Sequence, residues 1–216
     1  MPFGEMLLEL LSGLLVSAEI FVFTLALALP LGLVVAGGRM AKNPFVSQLF
    51  RLYISVVRGT PLMLQILFVY FAPYIFFKMP LSHYPRLFAT VLAFGFNYAA
   101  YFAEIYRGGI ESIPVGQYEA AEVLGYTKTQ TFMRIILPQV IKIIMPSVTN
   151  EVITLVKDTS LAFTLAYQEV FSLAKHIAAS QTSFMPFVIA GVFYFVANYI
   201  VEIVMNRIEK SMDYYK

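Results

Sequence analysis

The chain has 216 residues, of which 59% are hydrophobic and only 13% charged, against roughly 25% charged in an ordinary soluble domain. That leaves too little polar surface for a soluble core of this length and predicts an integral membrane protein. A net charge of +2 offers no basic surface for nucleic acid, the lack of cysteine excludes disulfides, thiolate metal sites and cysteine nucleophiles, and His83 and His176 are the only imidazoles.

A spanning helix requires about 20 apolar residues. The first predicted span covers about residues 14–38. Arg39 is the first basic residue, so no cleavable signal peptide is expected. This span carries Glu19 and Pro30, and Ala28, Gly32 and Ala36 make a stripe of small residues that lets another helix approach closely. A short polar loop, 39–43, and an amphipathic stretch, 44–58, follow. Thr60-Pro61 reads as an N-cap and a first-turn proline, opening a second span at about 61–77. The loop 78–85 holds two prolines and His83, and the third span covers about 86–106. Gly95, Ala99 and Ala103 form a small-residue face on it, while Asn97, Tyr101 and Glu104 fall on the opposite, polar side.

The next segment, 119–138, is the longest stretch of mixed polarity in the chain, with Glu119, Glu122, Lys128 and Arg134 among Thr and Gln. It is too polar for lipid, so it must lie at the membrane surface or be clamped by a partner. The fourth apolar region, 140–174, is interrupted. Ser147, Glu151, Thr154 and Asp158 share one stripe, Lys157 lies beside it, and Pro146 predicts a bend. A span to about 156 is expected, then an irregular or amphipathic segment. The last span covers about 184–205, with Asn198 and Glu202 in its second half.

The prediction is therefore five spans. Cytoplasmic loops are enriched in Lys and Arg. One side holds Arg39, Lys42, Arg51 and Arg58, then Arg107, Lys128, Arg134 and Lys142, then Arg207, Lys210 and Lys216. The other has Lys78, Arg86 and Lys175, with Lys157 near the membrane. This asymmetry predicts a cytoplasmic polar segment and C-terminus and an N-terminus outside. A sixth span at 161–174 would put the basic tail outside, which argues against it.

The polar segment also has an internal spacing. Glu119-Ala120-Ala121 is followed by three residues and Gly125, then nine residues and Ile135-Ile136-Leu137-Pro138. This resembles the EAA loop of importer-type ABC transporter permeases at every specified position. Arg58-Gly59-Thr60-Pro61-Leu62, Ala103-Glu104-Ile105-Tyr106-Arg107-Gly108-Gly109-Ile110 and Lys157-Asp158-Thr159-Ser160-Leu161 are similar to motifs of the polar amino-acid permeases of that superfamily. The resemblance implies an all-α membrane protein with the type I ABC importer permease fold, in which five transmembrane helices form one domain over 1–216 and a coupling region covers 107–138. It also implies a prokaryotic inner-membrane location, a cytosolic ATPase subunit dimer holding ATP and Mg, a second permease copy (expected as a homodimer), and an extracytoplasmic amino-acid-binding protein. No G-x-x-x-x-G-K-[ST] phosphate loop occurs here, so the chain is expected to be no enzyme and to hold no cofactor itself.

Within the coupling region, small Ala120 and Ala121 beside Glu119 would let a helix sit deep in a groove on the ATPase. Gly125 permits a sharp turn or a close backbone contact, and Leu137-Pro138 would end the loop and restart a helix. A plain amphipathic helix resting on headgroups is the rival reading of this segment.

Charged groups within a bilayer cost roughly 2.5–3.5 kcal/mol each on insertion scales and face a cavity or a partner. Glu19, Glu104, Glu151 and Asp158 are therefore candidate substrate ligands, and together they favour a basic amino acid such as arginine, lysine or histidine. Asn97 and Thr60 are candidates for its ammonium or carboxylate, Tyr101 or Phe96 for stacking on a guanidinium, and Met63 for the pocket wall. Each has a structural alternative: Glu104 pairing with Arg107, Asp158 pairing with Lys157 or capping the break at Thr159-Ser160, Glu151 joining spans, Glu19 standing as one acid on an apolar helix, Met63 filling core. The histidines have no ligand-spaced partner, so they are read as solvated and no metal site is expected. The same complex importing glutamine or glutamate is the alternative cargo. An ion-gradient-driven transporter is the alternative class, although no second copy of the interrupted span is present. An intramembrane enzyme would need paired groups that the spans lack.

Overall fold

The computed structural model describes residues 2–81 and 85–212. His83 and Lys216, named above, lie outside the described residues. The helices are α1 (Phe3–Arg39), α2 (Pro44–Arg58), α3 (Leu62–Phe77), α4 (Arg86–Glu111), α5 (Val115–Val123), α6 (Lys128–Thr131), α7 (Leu137–Asp158), α8 (Val170–Gln181) and α9 (Met185–Ser211). Among the described residues, four stretches are long and apolar enough to cross a membrane, or up to five if α2 and α3, which meet at 110°, count as one.

Helix α4 is the centre of the bundle. Its Phe94, Tyr98, Ala99, Phe102 and Ala103 are almost wholly buried. The small stripes of α1 and α4 meet each other. A Cβ added at Gly32 would stand 2.8 Å from Phe102 Cβ and 3.4 Å from the Ala99 carbonyl, and one at Gly95 would collide with Leu27. Backbone approach this close is what small-residue stripes permit in a bilayer, where burial of apolar surface supplies little force between helices.

The corner between α2 and α3 differs from the sequence reading. Thr60 is not the N-cap of α3. Pro61 takes that position in extended conformation, with no side-chain cap. The Thr60 hydroxyl instead donates back to the Val56 carbonyl at 2.9 Å, tying off the end of α2. The Gln65 amide then donates to the carbonyls of Val57 and Thr60 at 2.8 and 3.1 Å. Carbonyls left over at a helix end need such partners, and the proline supplies no N–H.

Leu137-Pro138 does not restart a helix after a loop either. The loop closes earlier, at Thr127, which with Gln130 forms a capping box at the start of α6. A π-helical turn, Phe132–Ile136, then runs directly into α7. Pro138 lacks the N–H that an α-helix would point at the preceding turn, and a π-turn absorbs that mismatch. The Gln139 side chain donates to the Ile135 carbonyl at 2.7 Å. Pro146, the expected bend, lies inside α7, which remains helical across it.

After α7 the chain tightens into a 3-10 segment, Thr159–Leu165, and turns at Ala166 with φ 51. Glu169 is fully buried and caps α8, accepting from the backbone N–H of Phe171 and Ser172, both at 2.7 Å, and from the Tyr194 hydroxyl of α9 at 2.8 Å. Helix α8 packs against α1 and α9 through Met6, Leu10, Val170, Leu173, Ile177 and Ile189.

Candidate functional site

Helices α4 and α7 and the α2–α3 corner enclose a cavity of about 230 Å³ lined by Thr60, Leu62, Asn97, Tyr98, Tyr101, Glu151, Thr154 and Asp158. Glu151 and Asp158 lie seven residues apart on α7, two turns or roughly 10 Å along its axis. Thr154 stands between them at helical spacing. Tyr98 and Tyr101 stand one turn apart on α4, their ring centres separated by 6.3 Å.

Each polar group has a definite anchor. The Tyr98 hydroxyl donates to Asp158 Oδ2 at 2.8 Å, although Lys157 is the neighbour in sequence. Of the structural alternatives for Asp158, neither an ion pair with Lys157 within 4 Å nor a side-chain cap of the 3-10 segment is formed among the described residues; its partner is on another helix. Asn97 donates to Gln65 Oε1 at 3.0 Å, which joins the cavity wall to the braced α2–α3 corner. The Tyr101 ring faces the chain's own cation, with the Arg58 guanidinium 5.0 Å from the ring centre.

Of the residues singled out from sequence, Thr60, Asn97, Tyr101, Glu151 and Asp158 come together here. Glu104 does not. It pairs with Arg107 at 2.8 Å, one turn along α4, and Arg107 also bonds Glu111. Glu19 is exposed on α1, near Tyr167. Met63 is 39% exposed and does not line the cavity. Tyr98, Leu62 and Thr154 also line the cavity. Tyr98 precedes Tyr101 by three residues, so the spacing that selected Tyr101 also reaches it. Among the described residues no group of three or more His, Asp or Glu side chains is placed to hold a metal ion, and His176 is exposed.

A second feature lies beyond the end of α4. Helix α5 ends in a Schellman turn: Gly125 N–H donates to the Glu122 carbonyl at 2.9 Å and Tyr126 N–H to the Ala121 carbonyl at 3.0 Å. Gly125 has φ 78, a conformation that glycine adopts freely. Ala121 is buried, whereas Glu119 and Ala120 are exposed. Val115, Val123, Leu124 and Met133 stand 57–87% exposed around them, and a groove of about 550 Å³ runs between α5 and α6 past Tyr118, Tyr126 and Phe132. Leu137 and Pro138 lie half-buried at the head of α7. Ile113, Ile136 and Val140 pack this unit onto the ends of α4 and α7.

Residues 28–214 match the family described as the binding-protein-dependent transport system inner membrane component. The L-cystine transport system permease protein TcyB of Bacillus subtilis is 36% identical, the match covering 90% of this chain and 81% of that one. The octopine transport system permease protein OccM of Rhizobium radiobacter is also 36% identical, covering 98% of this chain and 91% of its own length. The solved structure of an amino acid ABC transporter with histidines superposes with a TM-score of 0.87 at 29% identity, covering 98% of this chain and 99% of that one. The chain belongs to the binding-protein-dependent transport system inner membrane component family, as a transmembrane permease subunit of an ABC importer of the polar amino-acid type and not itself an enzyme.

Proposed function

We propose that this permease carries a basic amino acid (arginine, lysine or histidine) into the cytoplasm by alternating access, with Glu151 and Asp158 drawing the cationic groups into the cavity. The observation that carries this reading is the placement of two carboxylates on one face of α7, opening into one polar cavity. Burying two acids there is costly unless a positive partner completes the site. Thr60, Asn97 and Tyr101 add hydrogen-bonding and stacking surface for the ammonium, the carboxylate and the side chain. The names of the relatives, cystine and octopine permeases, support an amino-acid cargo without choosing its side chain.

In this reading the chain works as one of two identical copies with a dimer of cytosolic ATPase subunits and an extracytoplasmic binding protein. The unit around Glu119–Gly125 docks in a cleft on the ATPase, which holds ATP and Mg. The lysine and arginine asymmetry puts that unit and the C-terminus in the cytoplasm and the N-terminus outside. ATP-driven closure of the ATPase dimer brings the paired units together and tilts α7 against α4. Hydrolysis returns them.

The test is uptake into proteoliposomes containing permease and ATPase, with binding protein on the outer side and ATP within. Arginine, lysine and histidine are expected to accumulate in an ATP-dependent way, and Glu151→Gln with Asp158→Asn to abolish it. Preferred uptake of glutamate or glutamine would refute the basic cargo. Transport that ignores ATP and collapses with an ionophore would refute the class of mechanism.

A further inference from the structure

Arg58 stands beside the cavity as an exposed cation. It ends α2 at the corner braced by Thr60 and Gln65, and Asn97 ties that corner to α4. From this corner the exposed Arg58 side chain reaches across the ring of Tyr101, a cavity wall, its guanidinium 5.0 Å from the ring centre. Glu151 and Glu104 are the acids within its electrostatic reach, but Glu104 is held by Arg107. Arg58 has no ion pair within 4 Å among the described residues, and what it faces inside the protein is the Tyr101 ring and, farther off, the Glu151 carboxylate. The cavity is thereby polarised along its length. Arg58, Tyr101 and Glu151 form the end nearer the polar coupling unit, and Tyr98 and Asp158 the end where α7 passes into the 3-10 segment.

We propose that Arg58 is a resident cation of the substrate cavity: it occupies the Tyr101–Glu151 end when the site is empty, and a cationic substrate must displace it from there. Arg58 is then a specificity-determining residue. It offers a cationic side chain the same aromatic face and the same carboxylate that a substrate guanidinium or ammonium would use, so the two compete. A neutral side chain does not compete. The proposal rests on the reading of this cavity as the substrate site.

The experiment is equilibrium binding of labelled L-arginine and L-glutamine to the purified permease–ATPase complex, without binding protein. Wild type is compared with Arg58→Gln, Arg58→Lys and Asp158→Asn. A cation–π contact at this degree of exposure accounts for roughly a two- to fivefold change in occupancy. Arg58→Gln is expected to bind arginine about two- to fivefold more tightly than wild type. Its glutamine binding should be unchanged, and Arg58→Lys should remain near wild type. Unchanged arginine binding in Arg58→Gln would overturn the proposal. So would an equal weakening of both ligands, which would make Arg58 a clamp for the substrate α-carboxylate instead. Asp158→Asn separates the two levels. If it lowers arginine binding while Arg58→Gln has no effect, the cavity reading stands and the resident cation falls. If Asp158→Asn leaves arginine binding untouched, the cavity reading falls and takes the resident cation with it.

Discussion

Gly125 offers a sharp test of the coupling unit, because its backbone and its surroundings make separate demands. Its φ of 78 lies in the left-handed region, where a side-chain Cβ costs roughly 1–2 kcal/mol. A Cβ added there meets nothing within 4 Å, so Gly125→Ala introduces strain and no collision. The strain can be relieved only by opening the turn, which loses the Gly125–Glu122 and Tyr126–Ala121 hydrogen bonds and reorients α5 relative to α6. If docking on the ATPase requires the closed turn, the dissociation constant of the permease–ATPase complex should rise by about five- to thirtyfold, the equivalent of that strain. Gly125→Asn, whose short polar side chain tolerates this conformation, should lose less. The thermal stability of the solubilised permease should stay unchanged, since the turn contributes nothing to the bundle core. Affinity can be measured by titrating purified ATPase against permease in nanodiscs, with ATP-dependent uptake in parallel. Wild-type affinity for Gly125→Ala, or a larger loss for Gly125→Asn than for Gly125→Ala, would refute the reasoning.

Tyr98→Phe removes the hydroxyl that donates to Asp158 and leaves a half-buried carboxylate short of a partner, which costs roughly 1–3 kcal/mol; the melting temperature should fall and arginine binding weaken, and unchanged binding would detach Tyr98 from the site. Gly32→Val drives new methyls into Phe102 and Tyr106, an overpacking cost of about 1–3 kcal/mol, visible as lower thermal stability with no selective change among substrates. Glu169 makes a pH-dependent prediction. Burial pushes its carboxyl above the ordinary range, opposed by hydrogen bonds from Phe171, Ser172 and Tyr194. A raised native value means that its contribution to stability is complete below the ordinary glutamate range and declines as pH rises through the raised value. Thermal denaturation of wild type should therefore show a loss of stability with rising pH that Glu169→Gln removes.

The features that could be read from sequence are those in which one local pattern determines the outcome. The stripes Ala28–Gly32–Ala36 and Gly95–Ala99–Ala103 demanded close helix contacts, and α1 and α4 make them with each other. Gly125 demanded a tight turn, and it sits in one. The Glu104–Arg107 pair follows from helical spacing alone. Other features depended on groups distant in the chain. Thr60 and Pro61 form a plausible cap locally, but the hydroxyl is taken by Val56 and Gln65. Asp158 stands next to Lys157 in sequence, yet the α4 helix brings Tyr98 to it from sixty residues away. Arg58 could be counted as a positive loop charge, but its place over Tyr101 exists only once the 110° corner has formed.

That corner and the continuity of α7 explain how a force applied at the coupling unit would reach the cavity. Helix α6, the π-turn, α7 and the 3-10 segment form one continuous helical run from Lys128 to Leu165, 38 residues long. The 22 residues of α7 alone extend roughly 33 Å at the usual rise, about the thickness of the hydrocarbon core. Both cavity carboxylates ride on this rod. Their counterparts Tyr98, Tyr101 and, through the corner, Arg58 are fixed to α4, which is locked against α1 by the small-residue stripes. In the proposed mechanism a displacement at the α5–α6 end shifts one set of polar groups against the other. The Tyr98–Asp158 bond crosses directly between the two sets. The π-turn at Phe132–Ile136 stands where the rod leaves the α5–α6 unit, and it carries the helix past Pro138 without a break.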